Sequence, residues 1–144
     1  MGDYDFGLRN RVLFKRRQEF NYRRNFGYFM NIHYKLFIYA PDDDELVSTI
    51  ITAAASAGAG QIGNYSHCAF VHRGWGQWKT GEGATPFYGT IGETSRIDEV
   101  KIEMRCPANC AAAVRKAVTQ VHPFEEVNIE FIRLEIIADR GSLE

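Results

Sequence analysis

The segment IHYKLFIYA, residues Ile32–Ala40, is the stretch from which the fold can be built outward. Every second side chain is aliphatic or aromatic, and this period of two, with β-branched residues, predicts a β-strand. Phe37 and Tyr39 give the opposite face an apolar character as well. A strand that is apolar on both faces is expected to lie in the middle of a sheet.

The residues after this strand predict a helix and then a second strand. Asp42 and Glu45 have the spacing of a capping box, and Gly58 and Gly60 mark the end of the helix. The segment Asn64–His72 predicts a strand, which Gly74-Trp75-Gly76 would turn into a short hairpin arm, Gln77–Thr80. A polar loop rich in glycine follows.

The second half of the chain repeats the order of strand, helix and strand. Alternation predicts a strand at Ile97–Arg105, Pro107 fits a first helical turn, and Val127–Leu134 predicts the last strand. This order is that of an α+β, ferredoxin-like split βαβ fold, an antiparallel sheet with both helices on one face and a hairpin insertion. The other face would be open, and with Phe37 and Tyr39 on it we expect it to pack against another subunit.

The charge divides the chain near Met30. Residues 1–29 hold seven Arg or Lys against three Asp or Glu, so this segment is formally +4 and residues 30–144 are −5. We expect residues 1–29 to be a poorly ordered, basic, aromatic-rich extension and residues 30–144 to be the folded domain. Arginines interleaved with aromatic residues also suit a nucleic-acid arm, the one route by which nucleic acid is an expected partner.

Composition and length exclude several classes of protein. The 144 residues contain no apolar run near the roughly 20 residues that cross a bilayer, and no apolar stretch of a secretory signal. Three cysteines are too few, and odd in number, for a disulfide framework. We therefore expect a cytoplasmic protein without a membrane partner.

Two motifs that suggest ligands are weak. The run Gly58–Gly63 has the form G-x-G-x-x-G, but a dinucleotide site needs a strand before it and a helix after it, and the predicted order is reversed. Cys68 and His72 share a strand face but stand about 13 Å apart, too far for one zinc ion. The cysteines are therefore interpreted as small apolar residues.

The turn His122-Pro123-Phe124-Glu125-Glu126 places an imidazole and two carboxylates within five residues. Such a group could hold a cation or transfer protons. A polar turn between a helix and a strand explains the same residues equally well, so both interpretations stay open. The aromatic residues around the glycine-rich loop, Trp75, Trp78, Phe87 and Tyr88, favour packing over a pocket.

Three blocks in the chain carry a family resemblance. They are AGAGQIGNYSHC at residues 57–68, EGATPFYG at residues 82–89, and HPFEE at residues 122–126. Their order and spacing resemble the small domain inserted in the NGG-interacting-factor-three family, also called YqfO-like or GTP cyclohydrolase type 2 homologues. The last block is also similar to a turn of CutA proteins, and the resemblance implies a PII/CutA-like fold.

The resemblance also limits the function. Full-length members of the family bind two metal ions through halves that flank the inserted domain, and this sequence contains neither half, so the chain looks like a stand-alone copy of the insert. We therefore lean away from an enzyme and assign no catalytic residue. The open sheet face, the polar glycine-rich loop and the clustering of the motifs at turns favour a homo-oligomeric, PII/CutA-like module that binds a small ligand, an ion or a protein partner at clefts between subunits.

The ligand-binding candidates lie in the three blocks. No cofactor is identified, and the alternative function is divalent-metal binding or handling of the CutA type, for which His122, Glu125 and Glu126 are weak candidate ligands. The full set of candidate binding residues is Gly60, Asn64, Tyr65, His67, Glu82, His122, Glu125 and Glu126.

Overall fold

A computed structural model describes residues 32–136, so the prediction for residues 1–29 lies outside the described residues. The strands are β1 (His33–Pro41), β2 (Ala69–Lys79), β3 (Thr94–Pro107) and β4 (Ile129–Leu134), and the helices are α1 (Asp44–Ser56) and α2 (Ala111–Val121). A short 3₁₀ turn, Ala108–Cys110, precedes α2. The α+β order of strands and helices is confirmed. Within residues 32–136, no helix is both long and apolar enough to cross a membrane.

The four strands form one antiparallel sheet in the order β2-β3-β1-β4. The predicted central position of β1 is confirmed, because Leu36 lies opposite Met104 on one side and Phe131 on the other. Both neighbours of β1 come from later in the chain, as the split βαβ arrangement requires.

The core lies on one face of the sheet. Leu36, Ile38 and Ile102 from the strands and Ile50 and Val114 from the helices are all fully buried. Burial of each such side chain contributes about 1.5–3 kcal/mol, so this layer supplies most of the stability. The opposite face carries no helix among the described residues, and we call it the open face.

Helix α1 begins one residue later than predicted. Asp43, not Asp42, is the N-cap: its backbone is extended and its Oδ1 accepts a hydrogen bond of 2.7 Å from the Leu46 amide. Asp42 instead forms an ion pair with Arg73 on β2, which also contacts Asp44 at 2.8 Å. The predicted cap was wrong because neighbouring aspartates offer the same capping chemistry and only the backbone angle selects between them.

Strand β2 differs most from the prediction. It begins at Ala69 rather than Asn64 and runs unbroken to Lys79, so the predicted turn at Gly74-Trp75-Gly76 is wrong. Gly74 and Gly76 stay paired with Glu99 and Ile97 of β3. The pairing extends past the end of β1, so residues 75–79 and 94–98 form a two-stranded arm beyond the sheet.

Gly76 has a packing reason to be glycine. A Cβ atom at this position would overlap the carboxyl group of Glu99, which lies across the strand. Glycine inside a strand often marks such a close approach and need not mark a turn.

Candidate functional site

A cleft of about 600 Å³ lies where the arm meets the open face. The arm forms one wall, the turn of residues 122–128 forms another, and the loop of residues 80–93, here called the hairpin loop, closes the end. Tyr39 and Glu99 from the sheet also line it. Small-molecule sites in proteins are commonly clefts of this size.

Aromatic rings supply much of the cleft wall. Phe124 is the common partner, with its ring centroid 5.9 Å from that of Trp78 and 6.4 Å from those of Phe87 and Tyr88. Contacts between rings at these distances stabilise their mutual packing. The prediction that these aromatics serve packing holds in part, because they pack on one another and also line the cleft.

A hydrogen bond from the turn holds the hairpin loop in place. The Glu125 carboxylate accepts a bond of 2.8 Å from the Thr85 amide, and the Gly92 amide donates to the Thr80 carbonyl at 2.8 Å. Gly89 has φ +101°, and a Cβ there would overlap the Ser95 hydroxyl. The loop therefore lies close against both the turn and the arm.

Glu125→Ala is expected to loosen the hairpin loop with little loss of global stability. A charge-assisted bond at an exposed site contributes about 1 kcal/mol, so amide exchange at Thr85 should become roughly fivefold faster. Hydrogen exchange followed by NMR would measure this, with Glu126→Ala as the matched control. Equal exchange rates at Thr85 in the two variants would contradict the assigned bond.

His122 lies beneath the cleft and connects two backbone groups by hydrogen bonds. The side chain is buried, with Nε2 2.9 Å from the Tyr39 carbonyl and Nδ1 3.1 Å from the Phe124 amide. Nδ1 therefore accepts and Nε2 donates, which requires the neutral ring. Burial lowers the pKa of His122, although the bond to the Tyr39 carbonyl partly opposes this. Both ring nitrogens are used within the fold, and neither is open to a metal or ligand.

Glu99 is the polar group that the sequence reasoning missed. It is half-buried, lines the cleft, and has no hydrogen bond or ion pair with any other described residue. Burial raises the pKa of its carboxyl group. The available signal was the pair Gly74 and Gly76 in a strand, which indicates a close approach, but that pair was interpreted as a turn.

The predicted binding residues divide into two groups. Glu125 and Glu126 line the cleft, and Glu82 lies in the hairpin loop that borders it. Apart from His122, which is buried at the end of α2, the others lie in residues 58–68, here called the glycine loop, whose Gly60 amide donates to the Arg105 carbonyl at 2.7 Å. Arg105 is six residues along β3 from Glu99, about 20 Å away. One chain therefore does not bring the two groups together.

The glycine-loop candidates differ in their surroundings. Gly60 is buried, with φ +71°, whereas Asn64, Tyr65 and His67 are exposed. His67 has φ 58°, and its Nδ1 lies 3.0 Å from the Ser66 hydroxyl. Backbone hydrogen bonds hold the glycine loop in place, and the three exposed side chains project from it.

The described residues include no group of three His, Cys, Asp or Glu side chains that could hold a metal ion. Cys106 is buried, and burial raises the pKa of its thiol to about 11, with the nearby Cys110 adding to the rise. A thiol with so high a pKa is a poor ligand and a poor nucleophile. This agrees with the interpretation of Cys106 as an apolar residue.

Comparisons with known proteins identify the domain. The chain is 41% identical over 101 residues to the GTP cyclohydrolase 1 type 2 homolog of Bacillus subtilis, a match that covers 70% of this chain and 26% of that protein. A solved Bacillus cereus protein related to NIF3 superposes with a TM-score of 0.63 at 34% identity, over 73% of this chain and 26% of that one. The chain is a relative of one domain of the GTP cyclohydrolase 1 type 2 homolog family. No protein-family model matches it.

A similar fold makes up most of a smaller solved protein. The periplasmic divalent cation tolerance protein CutA of Archaeoglobus fulgidus superposes with a TM-score of 0.53 at 16% identity, over 74% of this chain and 87% of that one. At that identity the likeness shows the fold alone, and the predicted PII/CutA-like architecture is confirmed. The chain spans about a quarter of the length of the curated relatives it matches.

Proposed function

We propose that this chain is a binding module that takes a small ligand in the cleft and associates with further copies of itself through the open face, in a regulatory role. The observation that carries the proposal is the cleft of about 600 Å³, in which aromatic rings line the walls together with several polar side chains, three of them glutamates. A concave, mostly aromatic surface with a few placed polar groups is typical of ligand sites.

The lining of the cleft favours binding over catalysis. Its ionisable side chains are those of two tyrosines, Tyr39 and Tyr88, of Lys79 and of three glutamates, and no histidine or cysteine of the described residues is among them. Within the described part of the chain, no hydrogen bond or ion pair joins two of these side chains, so none of them is paired as a nucleophile with a base. Metal handling of the CutA type stays a prediction that would need ligands from a neighbouring copy, since residues 32–136 of one chain assemble no set of three.

The open face supports self-association. Glu103 in its middle is paired with Lys35 at 3.5 Å, Lys101 at 3.2 Å and His72 at 3.0 Å. Phe70 and Ile132 flank this network on the two edge strands and are 63% and 55% exposed. A neutralised centre with apolar groups on both sides is suited to burial against another surface.

Phe70→Asp is expected to reduce the oligomer to monomers, because it places a new carboxylate beside Glu103 on the proposed interface. Light scattering at micromolar concentration should give a mass of at least two chains for the unaltered protein and one chain for the variant. Ile62→Asp, an exposed apolar residue of the glycine loop, is the matched control and should leave the mass unchanged. A monomeric unaltered protein would remove the self-association part of the proposal.

A further inference from the structure

We propose that the cleft selects a small, planar organic cation, such as an amidinium or guanidinium compound. This inference rests on the proposed function, because it names the chemical class of ligand for the same cleft. It is carried by the charge of the lining, by the position of one unpaired carboxyl group, and by the aromatic walls.

The charge of the cleft favours a cation. Glu99, Glu125 and Glu126 line it against one basic side chain, Lys79. Glu125 is already bonded to the Thr85 amide, which leaves the other two carboxylates available to a ligand. A cleft with an excess of one charge attracts ligands of the other charge.

Glu99 is placed to pair with a cation inside the cleft. It lies on the open face, and its carboxyl group lies against Gly76, where any side chain would displace it. The nearest lysines on that face, Lys35 and Lys101, are paired with Glu103 instead. A half-buried carboxylate without a basic partner among the described residues would gain most from a ligand that brings one.

The aromatic walls favour a flat cation over a compact one. On the face of the arm opposite Trp78 and Glu99, the Arg96 guanidinium lies 3.7 Å from the centroid of the Trp75 ring, an example within the chain of an indole stacking on a planar cation. Trp78 lines the same cleft, with Phe124 packed beside it. Such stacking is attractive, and it becomes stronger as the cation is removed from water.

A buried hydroxyl group favours a ligand that donates hydrogen bonds. Thr80 lines the cleft at the base of the hairpin loop and is only 5% exposed. Its Oγ1 has no hydrogen-bond partner among the described residues. Buried polar groups are normally paired, and the N–H groups of an amidinium or guanidinium are donors only. Because Oγ1 is inaccessible and lies beside Gly89, a ligand N–H would supply the missing partner once the hairpin loop moves aside.

The test compares three probes of similar shape and different charge on the full chain: benzamidinium, benzamide and benzoate. Titrations at neutral pH, followed by amide NMR, should show saturable shifts at Gly76 and Trp78 with benzamidinium, at a dissociation constant at least tenfold below those of the other two. Glu99→Gln should weaken benzamidinium about tenfold and leave benzamide unchanged, since a tenfold change corresponds to about 1.4 kcal/mol. Glu93→Gln, an exposed hairpin-loop residue outside the lining, is the matched control and should change nothing.

The outcomes separate this inference from the proposed function. Equal or tighter binding of benzamide or benzoate at the same amides would overturn the selection for a cation and leave the cleft as a ligand site. Unchanged benzamidinium binding in Glu99→Gln would overturn the role of that carboxylate. The absence of a saturable shift with any probe would overturn both the inference and the ligand part of the proposed function. Self-association is tested separately, by light scattering.

Discussion

Gly60→Ala is expected to lower the free energy of unfolding by about 3 kcal/mol, through backbone strain and overpacking together. Gly60 has φ +71°, which an alanine rarely adopts. A Cβ there would lie 2.7 Å from the Met104 Cε and 3.1 Å from both the amide nitrogen and the carbonyl oxygen of Cys68. The methionine can move, but the backbone of the glycine loop cannot move without losing its bonds to β3.

Gly63→Ala is the matched control for this prediction. Gly63 lies in the same loop with φ +56°, but a Cβ there meets no atom within 4 Å. It should therefore cost only the strain, about 1 kcal/mol. Urea unfolding of both variants would measure the difference. Equal losses in the two variants would show that contact with Cys68 and Met104 does not explain why position 60 is glycine.

His122→Ala is expected to lower the free energy of unfolding by about 3 kcal/mol, because it leaves two buried backbone groups without partners and opens a cavity. The groups are the Tyr39 carbonyl and the Phe124 amide, which the imidazole now joins. His72→Ala is the control, since His72 is exposed and its contacts within the described residues, with Glu103 and Phe70, lie on the surface. It should cost less than about 1 kcal/mol.

The two variants should also differ in their dependence on pH. Burial lowers the pKa of His122 below its ordinary value of 6.5, so the unfolded chain binds this proton more readily than the folded one. Stability due to His122 is therefore complete above pH 6.5 and is lost as the pH falls through the folded pKa. Unfolding curves between pH 8 and pH 5 should show that His122→Ala lacks this part of the decline. An unchanged slope would contradict a neutral, buried His122.

The order of strands and helices was predictable because the spacing of apolar residues that indicates each element lies within the sequence of that element. Ile32–Ala40 alternates strictly and lies where a central strand was expected. The helix that begins near Asp43 also carries its own cap and apolar stripe. The continuous strand through Gly74 and Gly76 was not predictable in the same way. In a sequence, two such glycines usually indicate a turn, and these two belong to a strand because Glu99 and Ile97 of β3 pair with them.

The candidate site was only partly predictable, for a related reason. Glu125 and Glu126 were found because they lie within one short motif and on the cleft. His122 belongs to the same motif, but its two backbone partners are set by the fold, one of them 83 residues away. The carboxyl group of Glu99 lies against Gly76 and has no basic partner among the described residues. Both features depend on how β2 and β3 are paired, so the sequence alone did not indicate them.

The two hydrogen bonds of His122 make one side of the cleft more rigid than the other. Tyr39 in the floor and Phe124 in the wall are tied to one imidazole, so these surfaces move as a rigid body. The opposite boundary is the hairpin loop, which contacts the turn through an exposed hydrogen bond from the Thr85 amide to Glu125 and through the rings of Phe87 and Tyr88 against Phe124. A ligand would enter and leave beside the hairpin loop, the less rigid side of the cleft. Opening of this loop would set the residence time of the ligand, and the more rigid side formed by Tyr39 and Phe124 would set its orientation.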